Sequence, residues 1–238
     1  MDSAFSTIDV MMSAEEWSAL RLSFQVAMCA AMAGLPTAVA IGYWLARSRC
    51  AGKWLIEAAV NLPLVLPPVV TGYILLVLLA PRGPIGAILQ NLFGVKIVFT
   101  WWGAALASMV MSFPLMVRAI RSAFQSIDPR LEMAARTLGA SRVTAFFTVS
   151  LPLGRRGIVA GWILAFARSL GEFGATIMVA GNIEGQTRTI PLAVYTLANE
   201  PDGMGQAWRL VALAILLSCG ALAASELLER RSSEHVRD

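Results

Sequence analysis

Two charged residues, Arg168 and Glu172, stand inside a long apolar stretch of the chain. They are four residues apart, which on a helix puts them on one face. At the centre of a bilayer each would cost about 2.5–3.5 kcal/mol. Such a pair must point into a protein interior or a water-filled cavity. Two readings follow: an ion pair that fixes packing, or charges that face a polar path. Ser169, Gly171, Gly174 and Thr176 beside them add hydroxyls and room for close approach. No other cluster of chemical groups competes with this one. The single histidine, His235, lies in the polar tail, and Cys29, Cys50 and Cys219 are far apart with no metal-binding spacing. The sequence Gly-x4-Gly-Lys-[Ser/Thr] is absent, so no phosphate-cradling loop is expected in this chain.

The elements that position these residues are dictated by composition. Of 238 residues, 57% are hydrophobic and 14% charged, against about 45–50% and 25% in soluble domains. So few polar residues cannot coat a soluble core, and lipid is the expected solvent. A crossing needs roughly 20 apolar residues. Five stretches qualify: Leu22–Leu45, Leu55–Ala80, Phe99–Val117, Gly157–Gly181 and Leu210–Leu227. The expected fold is therefore an all-α, polytopic bundle of about five spans. Residues 1–18, which hold Asp2, Asp9, Glu15 and Glu16 and no early basic residue, are read as an external segment, neither a crossing nor a cleaved signal peptide. The main body is 19–228, with a tail at 229–238. The segment Arg82–Val98 reads as a connection broken by Gly83, Pro84 and Gly86, and Asn182–Gln206 as an outer loop with a helical piece at Leu192–Ala198.

Orientation follows from the basic residues. Arg47, Arg49 and Lys53, then Arg118 through Arg156, then Arg230, Arg231 and Arg237 fall on one side and make up most of the 19. That side is cytoplasmic by the positive-inside rule, which puts the N-terminus outside and the C-terminus inside. The positive balance thus encodes orientation in a lipid bilayer, with no nucleic-acid partner expected. Trp101, Trp102 and Trp208 at span ends suit interfacial anchoring, and Glu57 lies near water at the start of the second span. The run Asn61-Leu-Pro-Leu-Val-Leu-Pro-Pro68 puts three prolines in one span. It predicts irregular backbone facing protein or a pathway.

The loop 124–153 is the most informative stretch. Asp128-Pro129 reads as an N-cap with proline in the first turn, Arg130–Leu138 as a helix, and Gly139 as its left-handed stop. Ser141 caps a second short helix, which Leu151-Pro152 is expected to end. Ala134 and Ala135 let another backbone approach. The loop is either a plain connection or a docking element, and its length and caps favour docking.

These residues carry a resemblance. Ala134, Ala135, Gly139, Leu151 and Pro152 fall at the spacing of the E-A-A…G…I-x-L-P motif of ABC importer permeases, with Val149 for the isoleucine. Met133 occupies the motif's glutamate position and Glu132 sits one place earlier, about 100° around a helix. Leu62–Val69, Gly83–Gly86, Ala134–Ala140, Phe166–Thr176, Gly181–Ile183 and Thr187–Pro191 resemble segments of the molybdate permeases, to which sulfate and tungstate permeases are similar. The resemblance implies a type I ABC importer permease fold with a cytoplasmic coupling-helix loop. It implies a homodimer of permeases, two copies of a cytosolic P-loop ATPase and an external oxyanion-binding protein, with no cofactor. Asp128, Glu132, Ala134, Ala135, Gly139, Leu151 and Pro152 would then couple to the ATPase. Arg168, Ser169, Gly171, Glu172 and Thr176 would line the path of a divalent anion. An intramembrane enzyme would need histidines or a nucleophile with its base in the spans, which are lacking. A stand-alone carrier would have to build its path from one ionic pair.

Overall fold

A computed structural model describes residues 13–201 and 203–234; of residue 221 and residues 224–234 only the backbone is described. The expectations placed on residues 1–12, on Asp202 and on the side chains of the basic tail lie outside the described residues.

Ser13 starts the first helix, α1 (Ala14–Arg47). Its hydroxyl accepts the Glu16 N–H at 3.1 Å while the Glu16 carboxylate accepts the Ser13 N–H at 2.7 Å. This reciprocal cap satisfies two of the donors that a helix start leaves free. Residues 14–18, assigned to an external segment, are therefore the opening turn of α1. Pro36 sits inside α1 without ending it.

The second expected span is not one helix. It consists of α2 (Lys53–Val65) and α3 (Pro68–Leu79), bent by 112° between them. Pro67 and Pro68 have no N–H to continue α2, whereas Pro68 suits the first turn of α3. The supposed break at Gly83-Pro84 instead starts a helix, α4 (Pro84–Phe93), with Pro84 at its first position. A Cβ at Gly86 would lie 2.0 Å from the Ala80 carbonyl oxygen, so the turn accepts only glycine there.

Thr100 caps α5 (Trp101–Gln125), whose Trp101 and Trp102 rings stack at 3.8 Å. Beyond it come α6 (Pro129–Thr137), α7 (Arg142–Ala145), a π-helical segment (Phe146–Ser150) and α8 (Leu151–Leu170). The fourth expected span, 157–181, is broken: α8 stops at Leu170 and α9 (Gly174–Ala180) starts anew. α10 (Ile190–Ala198) and α11 (Met204–Glu234) complete the chain.

By length and composition three helical runs can cross a membrane: α1, α5 and Arg142–Leu170; α2 with α3 makes a fourth if the bent pair is one span. The described apolar part of α11, Met204–Gly220, is shorter. The expected count of five thus becomes three or four among the described residues. α1, α5 and α8 pack together as the centre of the bundle. Ala31, Ala38 and Leu45 meet Met116, Ile120 and Phe124, with Ile158 and Ala165 closing the third side. Small residues permit these close contacts, as expected between helices in lipid. A Cβ on Gly42 would lie 2.9 Å from an Ile120 methyl carbon. Large apolar side chains such as Val65, Tyr73, Val77, Leu92 and Phe93 face outward, which suits an acyl-chain environment.

Candidate functional site

The loop after α5 folds as its caps dictate. The Asp128 carboxylate accepts the Arg130 N–H at 2.9 Å and Pro129 opens α6. Gly139, at φ +95°, takes the left-handed turn that ends it. The Ser141 hydroxyl accepts the Thr144 N–H at 3.1 Å. The expected stop at Leu151-Pro152 does not occur. Helix runs without interruption from Arg142 to Leu170, and the Leu151 N–H reaches back to the Phe146 carbonyl in a wide π turn. That wide turn lies immediately before Pro152, where the ring would otherwise press on the carbonyl four residues back.

Glu132, on α6, turns inward to its own chain. One carboxylate oxygen accepts from Arg47 Nε at 3.0 Å and from the Ser150 hydroxyl, and lies 2.9 Å from Arg47 Nη2 in an ion pair. The other accepts from the Tyr43 hydroxyl at 3.0 Å. Arg47 Nη1 also donates to the Ile127 carbonyl at 3.2 Å. The Tyr43 ring meets Phe124 and Phe146 edge-on, with centroids 5.3 and 4.7 Å away. Burial opposes ionisation of Glu132, but the hydrogen bonds from Ser150 and Tyr43 and the Arg47 charge outweigh it. Its pKa is therefore lowered from the ordinary carboxylate value.

The rest of α6 faces outward. Ala134 and Gly139 are exposed and Ala135 is half-buried. Met133, at the position where the motif has glutamate, is 54% exposed and Leu138 89%. Leu131, Val143 and Phe147 are exposed beside them. Leu151 is half-buried and Pro152 exposed.

At the second cluster Arg168 Nη2 lies 2.8 Å from a Glu172 carboxylate oxygen, with the Glu172 side chain 2% exposed. The pair does not share a helix face as spacing implied, because α8 ends two residues before Glu172 and the contact closes across the break. The other Glu172 oxygen accepts the Ala175 N–H at 2.8 Å and so caps α9. Ser169 is buried and points its hydroxyl at the Ser108 carbonyl on α5, 3.5 Å away. Gly171 is exposed, with nothing within 4 Å of where a Cβ would stand. Thr176 is fully buried and its hydroxyl has no hydrogen-bond partner. The structure therefore joins Arg168 to Glu172 but sends Ser169 toward α5 and encloses Thr176 in the core.

The two helix breaks meet. A Cβ on Gly174 would lie 2.8 Å from Pro68 Cβ, and one on Gly72 would lie 2.7 Å from Ala175 Cα. α3 and α9 thus pack backbone to backbone directly beyond both breaks.

Sequence reasoning missed several partners. Tyr43 and Arg47 are four residues apart and so face the same way, a spacing that marked them as a pair able to hold one group. Glu57 does more than reach water: it pairs with Arg121 at 2.7 Å, while Asn61 accepts from Arg118 at 2.8 Å. Buried Glu16 binds Arg209 on α11 through Nε and Nη2 at 3.2 and 3.1 Å. No local signal links residues so distant in sequence. In the loop between α9 and α10 Arg188 bonds Asn182 and Glu184, and the Ser23 hydroxyl accepts the Ile190 N–H at 2.7 Å.

Comparison with known proteins places this geometry. The molybdenum transport system permease protein ModB of Escherichia coli K12 is 52% identical over 221 residues, 93% of this chain and 96% of that protein. Its Haemophilus influenzae counterpart is 50% identical over the same shares. The sulfate transport system permease protein CysT of Salmonella typhimurium is 34% identical over 82% of this chain and 70% of its own. Among solved structures, a bacterial alginate ABC transporter in complex with an alginate pentasaccharide-bound periplasmic protein superposes with a TM-score of 0.72 at 14% identity. That match covers 97% of this chain and 83% of the other. The MetNI methionine ABC transporter in an inward-facing conformation gives 0.59 at 20% identity, covering 90% and 94%. The fold is that of an ABC importer permease. Residues 38–234 match the family model of the binding-protein-dependent transport system inner membrane component, and the chain belongs to that family.

Proposed function

We propose that this chain is the permease subunit of an ATP-driven importer that carries molybdate across the cytoplasmic membrane. It works as a homodimer with two copies of a cytosolic P-loop ATPase. An external oxyanion-binding protein delivers the anion. The N-terminus lies outside and the C-terminus in the cytoplasm. The observation that carries the substrate is the 52% identity, over nearly the whole chain, to a molybdenum permease. The sulfate permease stands at 34%, which makes sulfate the weaker reading, and tungstate shares molybdate's charge and shape.

Energy input is assigned to the loop. Leu131, Met133 and Leu138 are exposed on or directly after a capped helix outside the spans, and they offer a partner an apolar face. Closure of the ATPases would move α6 and tilt the helices joined to it. Arg168 is the cation beside the path, its charge balanced by Glu172, so that the anion is attracted without being held too tightly to leave. This attraction acts at the break between α8 and α9, where the backbone is free of regular helix.

Permease, ATPase and binding protein reconstituted in vesicles should take up molybdate only with ATP. Uptake of sulfate in preference to molybdate would overturn the substrate. Deleting Arg130–Ala140 should abolish ATPase association in pull-downs; a complex that still assembles and transports would overturn the docking role. Arg168→Gln should lower uptake with assembly intact, whereas lost assembly would make the pair structural.

A further inference from the structure

We infer that Glu132 is a positioning residue that acts inside the permease and not on the ATPase. With Tyr43, Arg47 and Ser150 it locks the docking helix to the ends of two membrane-crossing helices. The inference rests on the importer reading and concerns how that loop transmits force.

A carboxylate offers about four lone-pair sites. On Glu132 one oxygen accepts from Arg47 Nε and the Ser150 hydroxyl and lies in ion-pair contact with Arg47 Nη2, and the other accepts from the Tyr43 hydroxyl. The Glu132 side chain is 15% exposed. Both oxygens are thus engaged within the chain, and the charge is already paired with Arg47. The outward surface of α6 and its flanks carries the apolar Leu131, Met133, Leu138 and Val143 beside exposed Arg130, Arg136 and Arg142.

The partners of Glu132 come from the elements that must move in transport. Tyr43 and Arg47 occupy the last turns of α1, and Ser150 closes the π segment that feeds α8. Arg47 also holds the Ile127 carbonyl, directly before the Asp128 cap, so the entry to α6 and its first turn are tied to one side chain. Tyr43 is wedged between Phe124 and Phe146, which fixes its hydroxyl in place. Without these bonds α6 would hang on two short links, Ser126–Asp128 and Leu138–Ser141, and a push on it would bend the loop. With them a push on α6 moves the ends of α1 and α8 together. Interaction through a π turn suits this role, because a wide turn is a local irregularity that a single hydroxyl can hold or release.

The test uses the whole complex in vesicles and reads anion transported per ATP hydrolysed. Glu132→Gln keeps the shape and removes the charge. ATPase should copurify with this variant in wild-type amounts, while the transport-to-hydrolysis ratio falls about tenfold, the size of an ordinary coupling between sites. Tyr43→Phe and Ser150→Ala should each give a smaller fall. Combined with Glu132→Gln they should add nothing, since residues of one network are not additive. Loss of ATPase on purification of Glu132→Gln would place the residue at the partner interface and overturn the inference. So would an unchanged ratio, or double variants whose effects multiply. If Glu132→Gln does not fold, Tyr43→Phe, Ser150→Ala and their double variant ask the same question. Failure of the importer reading itself would appear in the unaltered complex, as absent ATP-driven uptake, and is thereby distinct.

Discussion

Glu132 and Glu172 are both held by arginine, yet the two sites are built in opposite ways. Glu132, on α6, gathers side chains from two other elements, Arg47 and Tyr43 from α1 and Ser150 from the π segment. Glu172 bonds only within its own neighbourhood, to Arg168 four residues back and to the Ala175 N–H three residues on. The first joins elements; the second seals a gap between two pieces of one span. The surroundings explain the difference. Outside the membrane a loop helix has water for its backbone but nothing to orient it, so a charged side chain ties it down. Within lipid an interrupted helix leaves backbone donors bare, and a carboxylate turned back on the next helix start satisfies one of them.

The largest expected effect breaks the second site. Glu172→Ala leaves Arg168 without its partner and the start of α9 uncapped. It should destabilise the permease by about 3 kcal/mol, the low end for removing one partner of a buried pair, read as a lowered unfolding midpoint in detergent. An unchanged midpoint would mean that the break seals without the carboxylate.

The steric half of the same site comes next. Gly72→Val places a Cβ where Ala175 Cα stands 2.7 Å away. Overpacking of this kind costs about 1–3 kcal/mol. Cysteine cross-linking between α3 and α9 should report their separation.

Asp128→Ala probes the loop and should cost about 1 kcal/mol, the usual worth of an N-cap. Hydrogen exchange should quicken over Pro129–Thr137 and leave Gly174–Ala180 untouched. Faster exchange in both would erase the contrast between a tethered loop helix and a sealed span.

The smallest effect is one of pH. The folded pKa of Glu132 lies below the ordinary carboxylate value of 4.5. Its stabilising contribution is therefore complete above that value and is lost as pH falls through the folded one. Arg47 is the cation paired with Glu132, and Arg136 and Arg142 line the same cavity. The midpoints of the unaltered permease and Glu132→Gln should differ at neutral pH and converge as pH falls through the lowered pKa of Glu132.

How much of this was legible beforehand depended on distance along the chain. Asp128, Gly139 and Ser141 announced their caps, because a cap and the groups it satisfies lie within a turn of each other. The prolines at 63, 67 and 68 announced an irregular span but not the 112° bend, which is settled by how α3 lies on α9. Pro152 misled: a proline ends a helix in isolation, but here a π turn ahead of it let the helix continue. The Arg168–Glu172 contact was foreseen on the wrong ground, as a shared face and not as a clasp across a break.

The sequence by itself determined the solvent, the approximate places of the spans, the local helix caps and the family. Each of these follows from composition or from residues within a few positions of one another. Only the tertiary structure decided that Glu132 binds Tyr43, Arg47 and Ser150, that Glu16 binds Arg209, and that the two helix breaks abut at Pro68 and Gly174. These pairings join positions up to 193 residues apart. No periodicity encodes them, because they arise when packed helices bring one side chain within reach of another.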